Sequence, residues 1–290
     1  MFEINSLKNN GKKILIIGLG QIGYSNAEYM SSIGLEVDGY DISEKAIQRA
    51  LDNGVIHNKA LNFKNYDYYI ICISTHRPED MFIPYLDGLY DIARRISHEG
   101  KTDSLVGIDS TITRGTSEEI KKILGHRLHV AHVPHRFYIN EKKEHGVRQT
   151  RVLGGCESCC IEKAKYFYGN MLKIPLHIVS SAEIAELTKV VENSYRFMEI
   201  AFAEELKMVC DKSSVDFNEL RNAINTKWNI KILEANGGIG GHCLPKDSQM
   251  FLDFSKNVLV TSLIGAAKMV DQQYRFHLAQ RAAQEMPLAR

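Results

Sequence analysis

The chain has 290 residues, 44% of them hydrophobic, and a formal net charge of +1 with acids and bases mixed along its length. That is apolar material for one large or two medium cores, and the charge balance gives no electrostatic case for nucleic acid or an anionic membrane surface. No run is long and apolar enough to span a bilayer, Met1–Asn5 lacks a basic-then-apolar signal, and six cysteines without such a signal read as reduced thiols of a cytoplasmic protein.

In chain order, Lys12–Ile17 is a short β-branched apolar run leading into Gly18-Leu19-Gly20-Gln21-Ile22-Gly23. A helical pattern follows to Met30, Gly34 stops it, and Leu35–Tyr40 reads as a second strand ending at Asp41. A bare G-x-G-x-x-G says little. Between a strand and a helix, with an acid closing the next strand, it is a dinucleotide fingerprint. The first glycine allows the tight turn, the second admits the pyrophosphate, and the third lets the helix pack close. The helix N-terminus, beginning at Gln21 and Ile22, faces the phosphates. Asp41 is placed to accept from ribose hydroxyls and to repel a 2′-phosphate, so NAD is the expected cofactor rather than NADP.

The alternation continues. A helix is expected over 43–53, a buried strand over 68–73 ending at Ser74 and Thr75, and a helix over 84–97. A strand at Leu105–Ile108 ends at Asp109, Ser110 and Thr111; a helix follows Gly115, and a strand spans 128–132. Ligands in such sheets gather at the carboxyl ends of the strands, which makes Ser74, Thr75, Ser110, Thr111 and Pro134-His135-Arg136 candidates for one cleft, the four hydroxyls beside the cofactor. Cys156-Glu157-Ser158-Cys159-Cys160 contains a C-x-x-C. No second Cys/His pair at zinc-finger spacing accompanies it, so no metal site is expected.

From Ser181 to about Asp211 the pattern is one long helix without Pro or Gly, with Ser181 as its N-cap. Lys189 and Asn193 are four apart and Arg196 three further, hence on one face. Its apolar residues (Ile184, Leu187, Val190, Val191, Phe197, Ile200, Phe202, Leu206, Val209) exceed what one core-facing stripe requires, so a homodimer is expected. Shorter helices are expected over 216–225 and 258–284. The fold class is therefore α/β: a Rossmann-type NAD-binding domain over 1–180, followed by an all-helical domain over 181–290, joined by the long helix.

The last signal is Gly237-Gly238-Ile239-Gly240-Gly241-His242-Cys243-Leu244-Pro245-Lys246-Asp247, a cysteine in a glycine-rich loop with an aspartate four residues later. A thiol that a substrate can reach, with a carboxylate to place a proton or water, is the outline of covalent thiol catalysis. A tight turn around an inert buried cysteine fits the same letters.

Four blocks in order resemble the nucleotide-sugar 6-dehydrogenases, the UDP-glucose, UDP-N-acetylmannosamine and GDP-mannose group, with the N-acetylated-sugar branch nearest. They are Gly18–Gly23 with Asp41, Ser110-Thr111, Ala185–Lys189 with Glu192-Asn193, and Gly237–Asp247. The resemblance implies a two-NAD oxidation of a primary alcohol, free or on a nucleotide sugar, to a carboxylate. In it Cys243 attacks the intermediate aldehyde, Lys189 stabilises oxyanions, and Asn193, Thr111 and Asp247 hold the reacting groups and water. Two departures stand out. His135 occupies the place of the family's glutamate, where an imidazole could act as a base or mark a different end point. The chain also stops where the family continues into a nucleotide-sugar-binding α/β domain, which implies a smaller substrate, a truncation or a domain supplied by a partner. Two other readings fit part of the pattern: a single-step hydroxyacid dehydrogenase of the 6-phosphogluconate dehydrogenase type, and a non-catalytic NAD-binding scaffold.

Overall fold

A computed structural model describes residues 11–77, 79–80, 83–136 and 146–285. The Met1–Asn5 segment lies outside them. The first part alternates β1 (Ile14–Ile17), α1 (Gln21–Ser32), β2 (Val37–Tyr40), α2 (Glu44–Asp52), β3 (Tyr68–Ile71), α3 (Asp87–Glu99), β4 (Leu105–Ile108), α4 (Thr116–Leu124) and β5 (His129–His132). Then come β6 (Arg151–Gly155), α5 (Ser158–Ala164), a π-helical stretch Lys165–Met171 and β7 (Leu176–Ile178).

One seven-stranded sheet runs β2-β1-β3-β4-β5-β6-β7, parallel except for the antiparallel β5–β6 pair. Gly39 also bridges Lys59 beyond β2, a remnant of one more parallel edge. The chain thus works outward from β1 to one side, then returns to pair β3 on the other. The resulting switch point, between β1 and β3, is where open α/β sheets bind ligands.

Strands buried on both faces read as unbroken apolar runs, and β1, β3 and β4 do. Ile14, Ile16, Tyr68 and Ile70 pack on one face with Met30, Ile47 and Phe167. Leu15, Ile17, Tyr69 and Ile71 pack on the other with Leu89, Ile96 and Ile120.

The long helix α6 spans Ala182–Ser213, its start capped by the Ser181 hydroxyl accepting from Ile184 N–H at 3.3 Å. α7 (Phe217–Ile224), α8 (Cys243–Ser255) and α9 (Leu263–Glu285) follow. The chain divides into a unit of Met1–His76 with Tyr85–Lys189 and a unit of Arg77–Pro84 with Val190–Arg290. The division falls inside α6, after Lys189, so the first two turns of α6 belong to the sheet-bearing unit. Glu186 is the reason: its buried carboxylate accepts from Gly115 N–H at 2.6 Å and Ser117 N–H at 2.7 Å, closing the N-terminus of α4.

Two sequence-expected boundaries move. α3 begins at Asp87 rather than 84, since Tyr85 N–H is taken by Thr75 C=O at 3.0 Å. α9 begins at Leu263 rather than 258, since Ser262 Oγ accepts from Gly265 N–H at 3.2 Å and starts the helix there.

The second unit has a small core of Phe197, Ala201, Ile239 and Ala267. Glu204 of the same unit is fully buried, and neither carboxylate oxygen has a hydrogen-bond partner among the described residues. Burial and the Asp271 carboxylate push Glu204 up to about 7, against the pull of Arg275. A folded value above the unfolded one, about 4.3, means the folded state holds the proton more tightly. Stability from this group is therefore full below about pH 4 and falls as pH rises through 7. Glu204→Gln should raise the melting temperature more at pH 8 than at pH 5, with a gain on the order of 1–3 kcal/mol at pH 8. Equal gains at both pH values in thermal melts would exclude this account.

Candidate functional site

The glycine turn has the three steric demands of a dinucleotide cradle. Gly18 has φ +93°, and a Cβ there would lie 2.6 Å from the Cys72 carbonyl oxygen. A Cβ on Gly23 would lie 1.7 Å from the Gly18 oxygen, so only glycine lets α1 pack on the turn. A Cβ on Gly20 would meet nothing within 4 Å, which leaves open space on the side where a pyrophosphate approaches. Gly20 is the N-cap of α1 and no side chain caps the helix, so Gln21 and Ile22 open it with backbone N–H groups to offer.

Asp41 Oδ2 accepts from Leu19 N–H at 2.6 Å and Oδ1 from Ser43 N–H at 2.8 Å. Its carboxylate both holds the turn and keeps lone pairs for ribose hydroxyls. These residues fit a dinucleotide. The fingerprint does not announce one neighbour. Arg49 reaches the turn, donating to Leu19 C=O at 3.0 Å while its guanidinium lies 4.5 Å from the centre of the Tyr24 ring.

The other strand-end hydroxyls knit the sheet's upper edge. Thr75 Oγ1 donates to Thr111 C=O at 2.7 Å, and Ser110 Oγ to Ile73 C=O at 2.8 Å. Ser74 Oγ is exposed and 2.8 Å from His76 Nδ1.

Beneath them lies a buried polar network that no sequence motif announces. Arg151, the first residue of β6, is 1% exposed. Its Nη1 meets Asp109 Oδ2 at 2.7 Å, and its Nη2 meets Asn26 Oδ1 at 3.0 Å and His135 Nε2 at 2.7 Å. Asn26 Nδ2 and Tyr168 Oη also donate to Asp109, at 2.8 and 2.6 Å. Burial pushes the Asp109 carboxyl up, and Arg151 with these donors pulls it back.

His135 Nε2 also lies 3.0 Å from Asn26 Oδ1, so the same nitrogen faces a donor in Arg151 and an acceptor in Asn26. Burial, Arg151 and Lys189 together hold His135 well below 6.5. The imidazole expected from the sequence as a base thus sits with its Nε2 inside this network.

In the second unit Cys243 is exposed and is the first residue of α8. The glycine-rich segment reads in sequence as loop through this cysteine; in the fold the loop ends at His242, and Cys243 through Asp247 are helical. Pro245 is compatible with this, because the first turn of a helix needs no N–H there. An anion at that end is favoured by the helix dipole.

Asp247 lies one turn on, 1% exposed. Asn193 Nδ2 donates to its Oδ2, Lys246 Nζ lies 2.7 Å from its Oδ1, and Ser194 Oγ lies 3.5 Å from its main-chain oxygen. Asn193 and Asp247 thus meet, and buried Lys246 joins them as a member that the spacing does not single out. Lys189 stands one turn before Asn193 on α6 and is partly buried. Arg196 is exposed and pairs with Glu199 at 3.4 Å, so it leaves this group.

The glycine loop is pinned from α9. Asp271 Oδ1 accepts from Ile239 N–H at 2.7 Å, and Arg275 Nη2 donates to Ile239 C=O at 2.7 Å. Gly238, at φ +91°, packs so closely on Arg275 that a Cβ would lie 2.9 Å from its guanidinium carbon.

Known proteins resemble the chain in sequence and in fold. Residues 183–273 match the model of the UDP-glucose/GDP-mannose dehydrogenase family, central domain. A UDP-N-acetyl-D-mannosamine dehydrogenase of Methanococcus vannielii is 29% identical, the match covering 96% of this chain and 69% of that protein. One of Methanococcus maripaludis is 29% identical, covering 85% and 62%. The chain thus spans 62 to 69% of the length of these curated relatives. Among solved structures, the UDP-D-ManNAc dehydrogenase from Pyrococcus horikoshii superposes with a TM-score of 0.80 at 26% identity, over 92% of this chain and 70% of that one.

Proposed function

We propose that the chain, whose residues 183–273 match the central-domain model of the UDP-glucose/GDP-mannose dehydrogenase family, takes part in the NAD-dependent oxidation of a nucleotide-sugar primary alcohol to a carboxylate. The observation that carries this is the exposed Cys243 at the start of α8, one turn from an Asp247 held by Asn193 and Lys246. A single hydride transfer needs no such thiol.

NAD, held by Gly18, Gly20, Gln21, Ile22, Gly23 and Asp41, supplies a hydride acceptor at each of two oxidation stages. The residues of the chain do the rest. Lys189 stabilises the alkoxide as the alcohol loses its proton. Cys243 Sγ bonds to the aldehyde carbon as the carbonyl π bond opens and its oxygen takes up a proton, giving a thiohemiacetal. Loss of a second hydride, with the hydroxyl proton passing to solvent, leaves a thioester, and water releases the acid and restores the thiol. Asp247, positioned by Asn193, orders that water, and Thr111 lies at the end of β4 to hold reacting groups. His135 takes over part of the task of the glutamate that related dehydrogenases carry at its place. The reading is tested by screening nucleotide sugars and simple alcohols and counting NADH formed per molecule consumed. Two NADH on an N-acetylated nucleotide sugar is expected; one NADH on a hydroxyacid would support the simpler dehydrogenase, and binding without turnover a scaffold.

Asp41 makes NAD the cofactor. A 2′-phosphate would bring like charge against its carboxylate, and Arg49 is already engaged with Leu19 and Tyr24. NAD should bind at least about tenfold more tightly than NADP, a difference of about 1.4 kcal/mol. Equal binding in a titration of both would refute the role of Asp41.

We also propose a homodimer. Of the apolar residues on α6, Val190 and Phe197 are buried. Val191, Tyr195, Phe202 and Val209 are 44, 56, 53 and 55% exposed and recur at helical spacing along one side. Light scattering at micromolar concentration should give about twice the chain mass, and Phe202→Glu should return a monomer. A native chain that scatters as a monomer would refute this. No helix among the described residues is long and apolar enough to cross a membrane.

A further inference from the structure

The C-x-x-C segment has a partner that its spacing does not reveal. His129 opens β5, while Cys159 and Cys160 lie in the first turn of α5. Their ligand atoms, one nitrogen and two sulfurs, all lie within 4.8 Å of one another, the one such His/Cys/Asp/Glu group found among the described residues.

The imidazole is set up as a ligand. His129 Nε2 lies 2.9 Å from Asp103 Oδ1, so Nε2 carries the proton and donates it. Asp103 is itself held by Lys163, whose Nζ lies 2.6 Å from Oδ2. The other ring nitrogen, Nδ1, keeps the lone pair, is buried, and has no hydrogen-bond partner among the described residues. A carboxylate–histidine pair that fixes the tautomer and turns the other nitrogen toward a cation is the usual outer shell of a metal-bound histidine.

The two thiols are complementary. Cys160 is fully buried and its Sγ accepts from Val130 N–H at 3.4 Å, a donor that favours thiolate; Cys159 is exposed and gives access from solvent. Glu157 Oε2 lies 3.5 Å from Cys159 Sγ and meets Lys121 Nζ at 3.1 Å.

We propose that His129, Cys159 and Cys160 bind a thiophilic d10 cation of the zinc class, with water in the fourth position. Two thiolates and one neutral imidazole balance the charge of a divalent ion. Zinc–sulfur and zinc–nitrogen bonds of about 2.3 and 2.0 Å put tetrahedral ligand atoms about 3.5–3.8 Å apart, so atoms already within 4.8 Å of one another need to close by at most about 1 Å. Binding releases both thiol protons to solvent, and no electrons move. Burial pushes the Cys160 thiol up, so the cation itself must displace that proton. The group belongs to the sheet-bearing unit, whereas Cys243 belongs to the other, and an ion there would tie β5 to α5.

The test uses the full chain, reduced and stripped of metal. Zinc is titrated against a chelating indicator, and cobalt(II) reports thiolate ligation by its charge-transfer absorption. One zinc per chain is expected. Cys159→Ser and His129→Gln should each weaken binding roughly tenfold or more and remove or shift the cobalt–thiolate band, and Asp103→Asn should weaken it less. Cys243→Ser should bind zinc as the native chain does. Cys159 is exposed, so its variant keeps the fold, which circular dichroism verifies. The proposal is overturned if no zinc binds at micromolar concentration, if binding survives both Cys159→Ser and His129→Gln, or if it is lost in Cys243→Ser.

Discussion

Cys243→Ser should abolish acid formation, lowering the rate of complete oxidation by roughly 10³-fold or more, while leaving NAD affinity within about twofold of the native value. A serine hydroxyl at the same place is far less nucleophilic than a thiol and does not form the thiohemiacetal that yields the second hydride. The chain's own geometry argues that the effect is chemical. Cys243 is exposed, so no packing is lost, and serine is a good residue for the start of α8. The proposed NAD cradle, Gly18, Gly20, Gly23 and Asp41, is distant from Cys243 in the chain. The decisive readout is the ratio of NADH to substrate, two for the native chain and at most one for the variant. If both give one NADH at similar rates, Cys243 is structural and the hydroxyacid-type reading replaces the one proposed.

What is legible in the sequence is what local geometry demands. Gly23 is written into the chain because a Cβ would lie 1.7 Å from the Gly18 oxygen, a clash within the same turn. The long helix is legible because 32 residues without Pro or Gly leave few alternatives. Asn193 and Asp247 each sit in a recognisable block. The start of α8 is not legible: glycines before Cys243 and Pro245 after it read as loop, although proline is at home in a first helical turn. β6 and β7 escape notice because one opens on an arginine and the other is three residues long.

The buried network is hidden for a different reason. An arginine reads as surface, and its partners are dispersed: Asn26 lies 125 residues from Arg151 and Asp109 lies 42. The His129 group is hidden the same way, since the sheet, not the spacing, brings that histidine to Cys159 and Cys160.

Arg151 should be the most costly side chain in the first unit to remove. Arg151→Met leaves Asp109 fully buried without its cation and takes a donor from both Asn26 and His135. Breaking a buried pair from one side costs about 3–5 kcal/mol, because the stranded charge keeps its desolvation penalty. At roughly 2–4 °C per kcal/mol for a chain of this size, the melting temperature should fall by about 10 °C. Asp109→Asn should be costly too, since an amide oxygen can still accept from Arg151 but the stranded charge is then a buried guanidinium that cannot shed its proton. The pair Arg151→Met with Asp109→Leu removes both charges, so it should recover part of the loss, a positive coupling that a double-mutant cycle measures. Arg94→Met is the control: that arginine is largely exposed in its pair with Asp91 and should change stability by less than about 1 kcal/mol. Arg151→Met melting like Arg94→Met, or a double variant no better than the sum of its parts, would mean that the network is not the electrostatic anchor described. The position of that anchor explains why the expected loss is large. It joins α1, β4, β6 and the loop after β5 at the carboxyl end of the sheet, so one unsatisfied charge there loosens the elements on which the dinucleotide cradle stands.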